Sequence, residues 1–348
     1  MRQNLWILSL ALFSFVGISL AQRGPQPDLT ACGQHDDFEV ICGAESPEDF
    51  ELTPDGNGII VAQFGRGGAT GPGLVLFDPE EEKFSDLSVR VEPRQGWGDA
   101  GCIAPEGMAL NPHGLSLATH PDGGTGLYVV NHNQRESIEM FEVSDAASGW
   151  ELIWRGCLET EIDYNDLAIM PDGGFVGTRP TALQEPGANA FGGGNSGNLA
   201  VWTPESGEVV LPGTESGYPN GVVVGPEARY AYIAVWTGQQ AIKYDLDARE
   251  RVETVDLGFM PDNLTWTEGG RLLAAGIQGI AGDCDGVPCI QGFEVAEIDP
   301  ETMTVRTVFR SQGGPSPISG VSVAIQRDDD VYVGSFQGDR VVRIDWID

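Results

Sequence analysis

A short turn recurs six times along the chain, as Pro54-Asp55-Gly56, Pro121-Asp122-Gly123, Pro171-Asp172-Gly173, Pro226-Glu227-Ala228, Thr267-Glu268-Gly269 and Arg327-Asp328-Asp329. Proline presets one turn dihedral and glycine accepts positive φ, so the repeat is turn chemistry. Each copy leads into a segment of alternating apolar and polar residues, a second turn, and another alternating segment. The predicted pairs are 58–63 with 74–78, 126–131 with 137–143, 174–178 with 198–203, 230–235 with 241–246, 271–276 with 293–299 and 331–335 with 341–346. Period-two patterning bounded by Gly, Pro, Asn and Asp marks strands joined as hairpins. No long amphipathic helical pattern competes with it, and 48 glycines and 22 prolines fit a turn-rich chain. Six units, each worth about four strands, predict an all-β, six-bladed β-propeller. A β-sandwich would explain the strands but not their sixfold recurrence. The sixth unit reaches Asp348 after its third strand, so segment 37–42 is expected to supply the outer strand and close the ring. Closure removes exposed sheet edges.

Residues 1–21 read as a secretory signal, with Arg2 first, an apolar run over 5–20 and Ser19-Leu20-Ala21 before Gln22. The run is about 16 residues, short of the ~20 that a spanning helix needs. Residues 22–348 are then expected to form one propeller domain in a secreted or periplasmic protein. Six cysteines fit an oxidising compartment. Cys32 with Cys42 and Cys284 with Cys289 can close small loops, which leaves Cys102 with Cys157. A balance of 19 basic against 52 acidic residues, net −33, argues against nucleic acid or anionic membranes as partners and favours cations. Two long insertions, 91–107 and 180–197, are open to reading as lids or as plain surface loops.

What precedes the turns carries the functional signal. Glu48, Asn165 and Asn220 each stand six residues before the proline of their turn, and Asp262-Asn263 stand four to five before Thr267. In a propeller these positions begin the innermost strands, so radial symmetry brings them to one mouth of the axis. The set is two carboxylates and three amides, a donor set suited to Ca²⁺ rather than Zn²⁺. Singly, each residue is an ordinary turn or surface polar group; keeping phase with the repeat is what sets them apart. His113 belongs to the same mouth, and His132 ends the next strand, where antiparallel pairing can bring the imidazoles together. A histidine beside a Lewis-acidic cation suits activation of water. His35 and His120 lack such placement and read as surface residues. Asn263-Leu264-Thr265 is a formal glycosylation sequon, but an axial position argues against a glycan.

The segments Ser46-Pro47-Glu48-Asp49, Asn111-Pro112-His113-Gly114-Leu115-Ser116, Val129-Val130-Asn131-His132, Asn165-Asp166, Pro219-Asn220-Gly221 and Asp262-Asn263 together resemble the paraoxonase (serum arylesterase/lactonase) family in order and spacing. The resemblance implies a propeller with two axial calcium ions. Glu48, Asn165, Asn220, Asp262 and Asn263 would hold the catalytic ion, and Asp49, Asp166 and the backbone carbonyl of Leu115 the structural one. It implies hydrolysis of lactones and aryl esters, with His113 and His132 as the water-activating pair. The family's disulfide between the amino-terminal region and the last strand has no counterpart, because 343–348 contains no cysteine. Two other readings stay open. One is a gluconolactonase-type sugar lactonase that needs no histidine pair; the other is a non-catalytic propeller stabilised by calcium.

Overall fold

Second strands such as Ile59–Gln63 and Phe175–Arg179 are buried along their whole length, so each sheet is covered on both faces and packs between two others. The computed structural model describes residues 29–346 apart from 66–72, 148, 186–187, 190, 280–291 and 312–314. It contains six sheets arranged as propeller blades, antiparallel throughout except for one parallel edge strand in the second. Their innermost strands are Pro47–Leu52, Pro112–Thr119, Leu167–Ile169, Pro219–Val224, Met260–Trp266 and Val321–Arg327. Each packs beside the next around a ring, and the last packs against the first. Six apolar clusters fill the six interfaces between neighbouring blades. The core is therefore a ring of layers, and the axis is left for polar groups.

The repeated turn lies where the sequence places it, after each innermost strand. Gly56 N–H donates to the Thr53 carbonyl at 2.8 Å, Gly123 to His120 at 2.9 Å, Gly173 to Met170 at 2.9 Å, Ala228 to Gly225 at 2.8 Å and Gly270 to Thr267 at 3.0 Å. Predicted and observed strands agree to within a residue or two at most ends; Asn198–Thr203 and Tyr230–Val235 match outright. The ring closes as expected. Glu39–Cys42 pairs antiparallel with Arg340–Asp345 as the fourth strand of the sixth blade, and Gly33–Gln34 adds a fifth.

The insertion at 91–107 is neither lid nor loose loop. Ser88–Val91 pairs parallel to Gly149–Glu159, the outer strand of the second blade, and Asp99 N–H donates to the Cys157 carbonyl at 2.9 Å. Trp97 is buried, and Cys102 is disulfide-bonded to Cys157. His120 is not a surface residue: it is buried beneath Trp97 with ring centroids 3.8 Å apart, because Asp122 offers its Nδ1 a carboxylate at 3.0 Å. Cys32 and Cys42 also form a disulfide. The pair Cys284 and Cys289 and the leader at 1–21 lie outside the described residues. Among those described, no helix is long and apolar enough to cross a membrane.

Candidate active site

The site begins with a backbone irregularity. The pairing of innermost and second strands slips between Pro47 and Asp49, Pro112 and Leu115, Pro219 and Val222, Pro261 and Leu264, and Val321 and Ala324. A bulge takes residues out of the ladder and re-aims their side chains. The residues so released are Glu48, His113-Gly114, Asn220-Gly221, Asp262-Asn263 and Ser322-Val323. In the third blade Asn165 and Asp166 precede the strand and bracket Thr178, with Asn165 N–H donating to its carbonyl at 3.0 Å and Thr178 N–H donating to Asp166 at 2.9 Å. Ser46 and Tyr218, two residues before Glu48 and Asn220, hold left-handed φ of 48° and 55°. Few non-glycine residues adopt this, and such outliers cluster at functional sites.

All five residues expected around the catalytic ion are buried at the same end of the axis. Asn263 Nδ2 donates to Glu48 Oε1 at 3.1 Å and approaches the Glu48 carbonyl at 3.3 Å. These residues belong to the fifth and first blades, so their contact crosses the ring. Asn220 hydrogen-bonds the Asp262 carboxylate. Four buried oxygens of this set have no hydrogen-bond partner: Glu48 Oε2, Asn165 Oδ1, Asn220 Oδ1 and Asn263 Oδ1, each from a different blade. Orphaned buried acceptors cost roughly 1–3 kcal/mol apiece unless something supplies positive charge. Among the described residues no group of three or more His, Cys, Asp and Glu converges as a metal site. The oxygens gathered here are instead mixed carboxylate and amide, and that chemistry fits a hard cation.

The second carboxylate pair lies deeper. Asp49 Oδ1 accepts from Phe50 N–H at 2.8 Å, and its Oδ2 accepts from Leu115 N–H at 2.7 Å. Asp166 repeats the pattern two blades on, accepting from Leu167 and Val222 N–H, each at 2.7 Å. Asp49, Leu115 and Asp166 are thus brought together, and below them the axis opens into a cavity of about 480 Å³ lined by Glu51, Leu117, Ala168, Val224 and Trp266 among others. Burial pushes the carboxyls of Glu48, Asp166 and Asp262 well above their ordinary range, with neighbouring carboxylates adding to it. Burial likewise raises Asp49 to about 7 and Glu51 to about 8, although backbone N–H groups oppose the shift. Charge of one sign, out of water and without a counter-ion, favours the neutral form.

The two imidazoles meet as expected. His113 Nδ1 lies 3.0 Å from His132 Nε2, and His113 Nε2 lies 3.5 Å from Glu48 Oε1. Burial, and then the His132 ring, pull His113 well below the usual imidazole range, so it rests neutral. Three contributors escaped the sequence reading. Phe64 stacks on His113 with centroids 4.5 Å apart. Ser322 Oγ donates to the Glu48 carbonyl at 2.6 Å, so the sixth blade clamps a residue of the first. Glu136 Oε2 lies 2.5 Å from His132 Nδ1. Phe64 and Glu136 fall out of phase with the turn repeat; Ser322 keeps that phase, five residues before Arg327, but a serine there offers no ligand chemistry to single it out. The 180–197 insertion brings Phe191 against Tyr218 and Trp236, centroids 5.3 Å apart in both cases.

Comparison with known proteins accords with this geometry. The arylesterase family model matches residues 100–339. The chain belongs to the arylesterase family. The match runs from the second blade into the sixth; it leaves out the first blade, which supplies Glu48 and Asp49, and the strands that close the sixth. Serum paraoxonase/lactonase 3 of Homo sapiens is 24% identical to this arylesterase-family chain over 311 residues, covering 83% of it and 82% of the human protein. The Mus musculus protein of that name is 27% identical over 239 residues, covering 65% of the chain, and the chain spans 64% of that relative's length. Serum paraoxonase/arylesterase 1 of Homo sapiens is 23% identical over 239 residues, covering 65% of the chain and 64% of the human protein. Among solved structures, a gluconolactonase from Xanthomonas campestris has a TM-score of 0.53 at 13% identity, covering 94% of this chain and 96% of its own. At that identity the likeness shows the fold alone.

Proposed function

We propose that this chain is an exported, calcium-dependent hydrolase that opens lactones and cleaves aryl esters. The supporting observation is the set of four orphaned buried oxygens from four blades beside a hydrogen-bonded histidine pair. Glu48, Asn165, Asn220, Asp262 and Asn263 would hold a catalytic calcium; Asp49, Asp166 and the Leu115 carbonyl would hold a structural one. When bound, calcium supplies Lewis-acid polarisation of a carbonyl and offsets the buried negative charge. The chain's own residues do the rest. His113, kept neutral by burial, offers Nε2 as the base that takes a proton from the attacking water. Its Nδ1 is braced against His132, and Phe64 holds the ring plane. Water adds to the ester carbonyl, the C–O bond to the ring or aryl oxygen breaks, and the proton on His113 goes to that oxygen. The products are a hydroxy acid from a lactone, or a phenol and a carboxylic acid from an aryl ester.

The test is a panel of γ- and δ-lactones and phenyl acetate, assayed with calcium and after exhaustive chelation. Turnover is expected with calcium and lost without it. Full turnover after chelation would sink the metal role, and calcium binding with no turnover on any substrate would favour a non-catalytic propeller. A His113→Gln/His132→Gln variant with undiminished turnover would support the gluconolactonase-type reading.

A further inference from the structure

The histidine pair does not end at His132. We infer that Glu136 is a positioning residue that sets the tautomer of both imidazoles, and so decides which nitrogen of His113 faces the reaction centre; this rests on the hydrolase reading above.

The contacts run in one line: Glu136 Oε2 to His132 Nδ1 at 2.5 Å, His132 Nε2 to His113 Nδ1 at 3.0 Å, and His113 Nε2 to Glu48 Oε1 at 3.5 Å. A neutral imidazole has one N–H and one lone pair. An ionised carboxylate only accepts, so Glu136 requires the proton of His132 to sit on Nδ1. His132 Nε2 is then an acceptor, which requires His113 to carry its proton on Nδ1. His113 Nε2 is left with the lone pair, facing the axial oxygens. Without Glu136 the opposite arrangement is open: His132 Nε2 donates to His113 Nδ1, and the proton of His113 moves to Nε2, toward Glu48 Oε1. A base in that tautomer cannot accept a proton where it is needed. The carboxylate also faces the imidazolium that forms if His113 passes its Nδ1 proton on to His132.

The turn that carries Glu136 is built to hold it. Asn131 Nδ2 donates to the Asn133 carbonyl and to Ser137 Oγ, each at 3.1 Å, while its Oδ1 accepts from Asn111 N–H at 2.9 Å. Asn133 Nδ2 donates to the Ala109 carbonyl at 2.9 Å, and Gln134 takes a left-handed φ of 63°. Thr160 N–H donates to the Glu136 carbonyl at 3.0 Å. The Glu136 side chain is 38% exposed, so its removal leaves no hole in the core.

The chain has four histidines, which makes the experiment tractable. Full-length, calcium-loaded protein labelled with ¹⁵N-histidine is examined by imidazole ¹⁵N–¹H correlation at about pH 8, above the ordinary imidazole pKa of ~6.5. Wild type is expected to show His113 and His132 as the Nδ1–H tautomer. Glu136→Ala is expected to mix the tautomers of both while His35 and His120 stay unchanged. On phenyl acetate its kcat should fall about tenfold with little change in KM, a part of the 10²–10⁴ that a positioned base contributes. Glu136→Gln, which keeps an acceptor oxygen, should recover part of both signals. Unchanged tautomers in Glu136→Ala overturn the inference whatever the activity, and mixed tautomers with unchanged kcat overturn its bearing on the reaction. Mixed tautomers in a chain that hydrolyses nothing would sink the hydrolase reading and leave the tautomer assignment standing.

Discussion

Gly114 shows how closely the neighbouring innermost strands approach. A Cβ there would lie 2.3 Å from Asp166 Oδ1 and 2.6 Å from its Cα, and one on Gly221 would lie 2.6 Å from the Cα of Asn263. Both glycines are therefore obligatory for the approach, not for a special φ. Gly114→Ala should cost about 2–3 kcal/mol by forcing the second and third blades apart, measured as a shift of the urea midpoint at constant slope. His113→Gln, by contrast, should fold normally and lose at least about tenfold in kcat on lactones and phenyl acetate, with near-ultraviolet circular dichroism as the control. His113 was legible in the sequence because it belongs to one of the innermost-strand motifs. Gly114 could be quoted in a motif, but its reason could not be read, since the atoms it must avoid belong to a residue about fifty positions later. Phe64, Ser322 and Glu136 were illegible for a similar reason: each matters only through a partner reached by folding.

The strands explain why the polar set points inward at all. A regular period-two strand sends alternate residues to opposite faces of the sheet, which would bury these side chains between blades. The bulges at Glu48, His113-Gly114, Asn220-Gly221, Asp262-Asn263 and Ser322-Val323 break that alternation and let Glu48, His113, Asn220, Asp262, Asn263 and Ser322 gather at the axis, while Val323 stays in the apolar layer between the sixth and first blades. The two disulfides among the described residues act on peripheral elements. Cys102–Cys157 spans 55 residues and Cys32–Cys42 spans 10. On loop-closure entropy the first should contribute about 4 kcal/mol and the second about 3 kcal/mol. Serine pairs at each site should therefore lower stability in denaturant titrations, with the Cys102→Ser/Cys157→Ser variant losing more. If the Cys102–Cys157 pair proves dispensable, Trp97 and the parallel strand hold the 91–107 segment alone.

Over the whole molecule the decisive balance is electrostatic. Five carboxylates, Glu48, Asp49, Glu51, Asp166 and Asp262, share the axis, and among the described residues the one basic side chain within 4 Å of them is the neutral His113, 3.5 Å from Glu48. Burial raises each above its unfolded value, Asp49 to about 7 and Glu51 to about 8. A raised carboxyl binds its proton more tightly when folded. Its contribution to stability is complete below the unfolded range near pH 4 and is lost as pH climbs through 7 to 8. The melting temperature of calcium-free protein should thus fall by several degrees between pH 5 and 8, and millimolar calcium should restore it most at the upper end. A flat profile in chelator would mean that the axial carboxylates stay ionised without a divalent cation.

The sequence by itself determined the number of blades, the two middle strands of each, the closing partnership at 37–42 and the spacing of the axial residues before the turns. All of these follow from local periodicity and from the fixed length of an innermost strand between bulge and turn. The tertiary structure alone decided what lies across the ring. It joined Asn263 to Glu48, set Ser322 beneath it, packed Trp97 over His120 and placed Glu136 behind His132. These contacts link residues out of phase with the repeat or in different blades, and no one-dimensional pattern encodes a distance between two points on a closed ring.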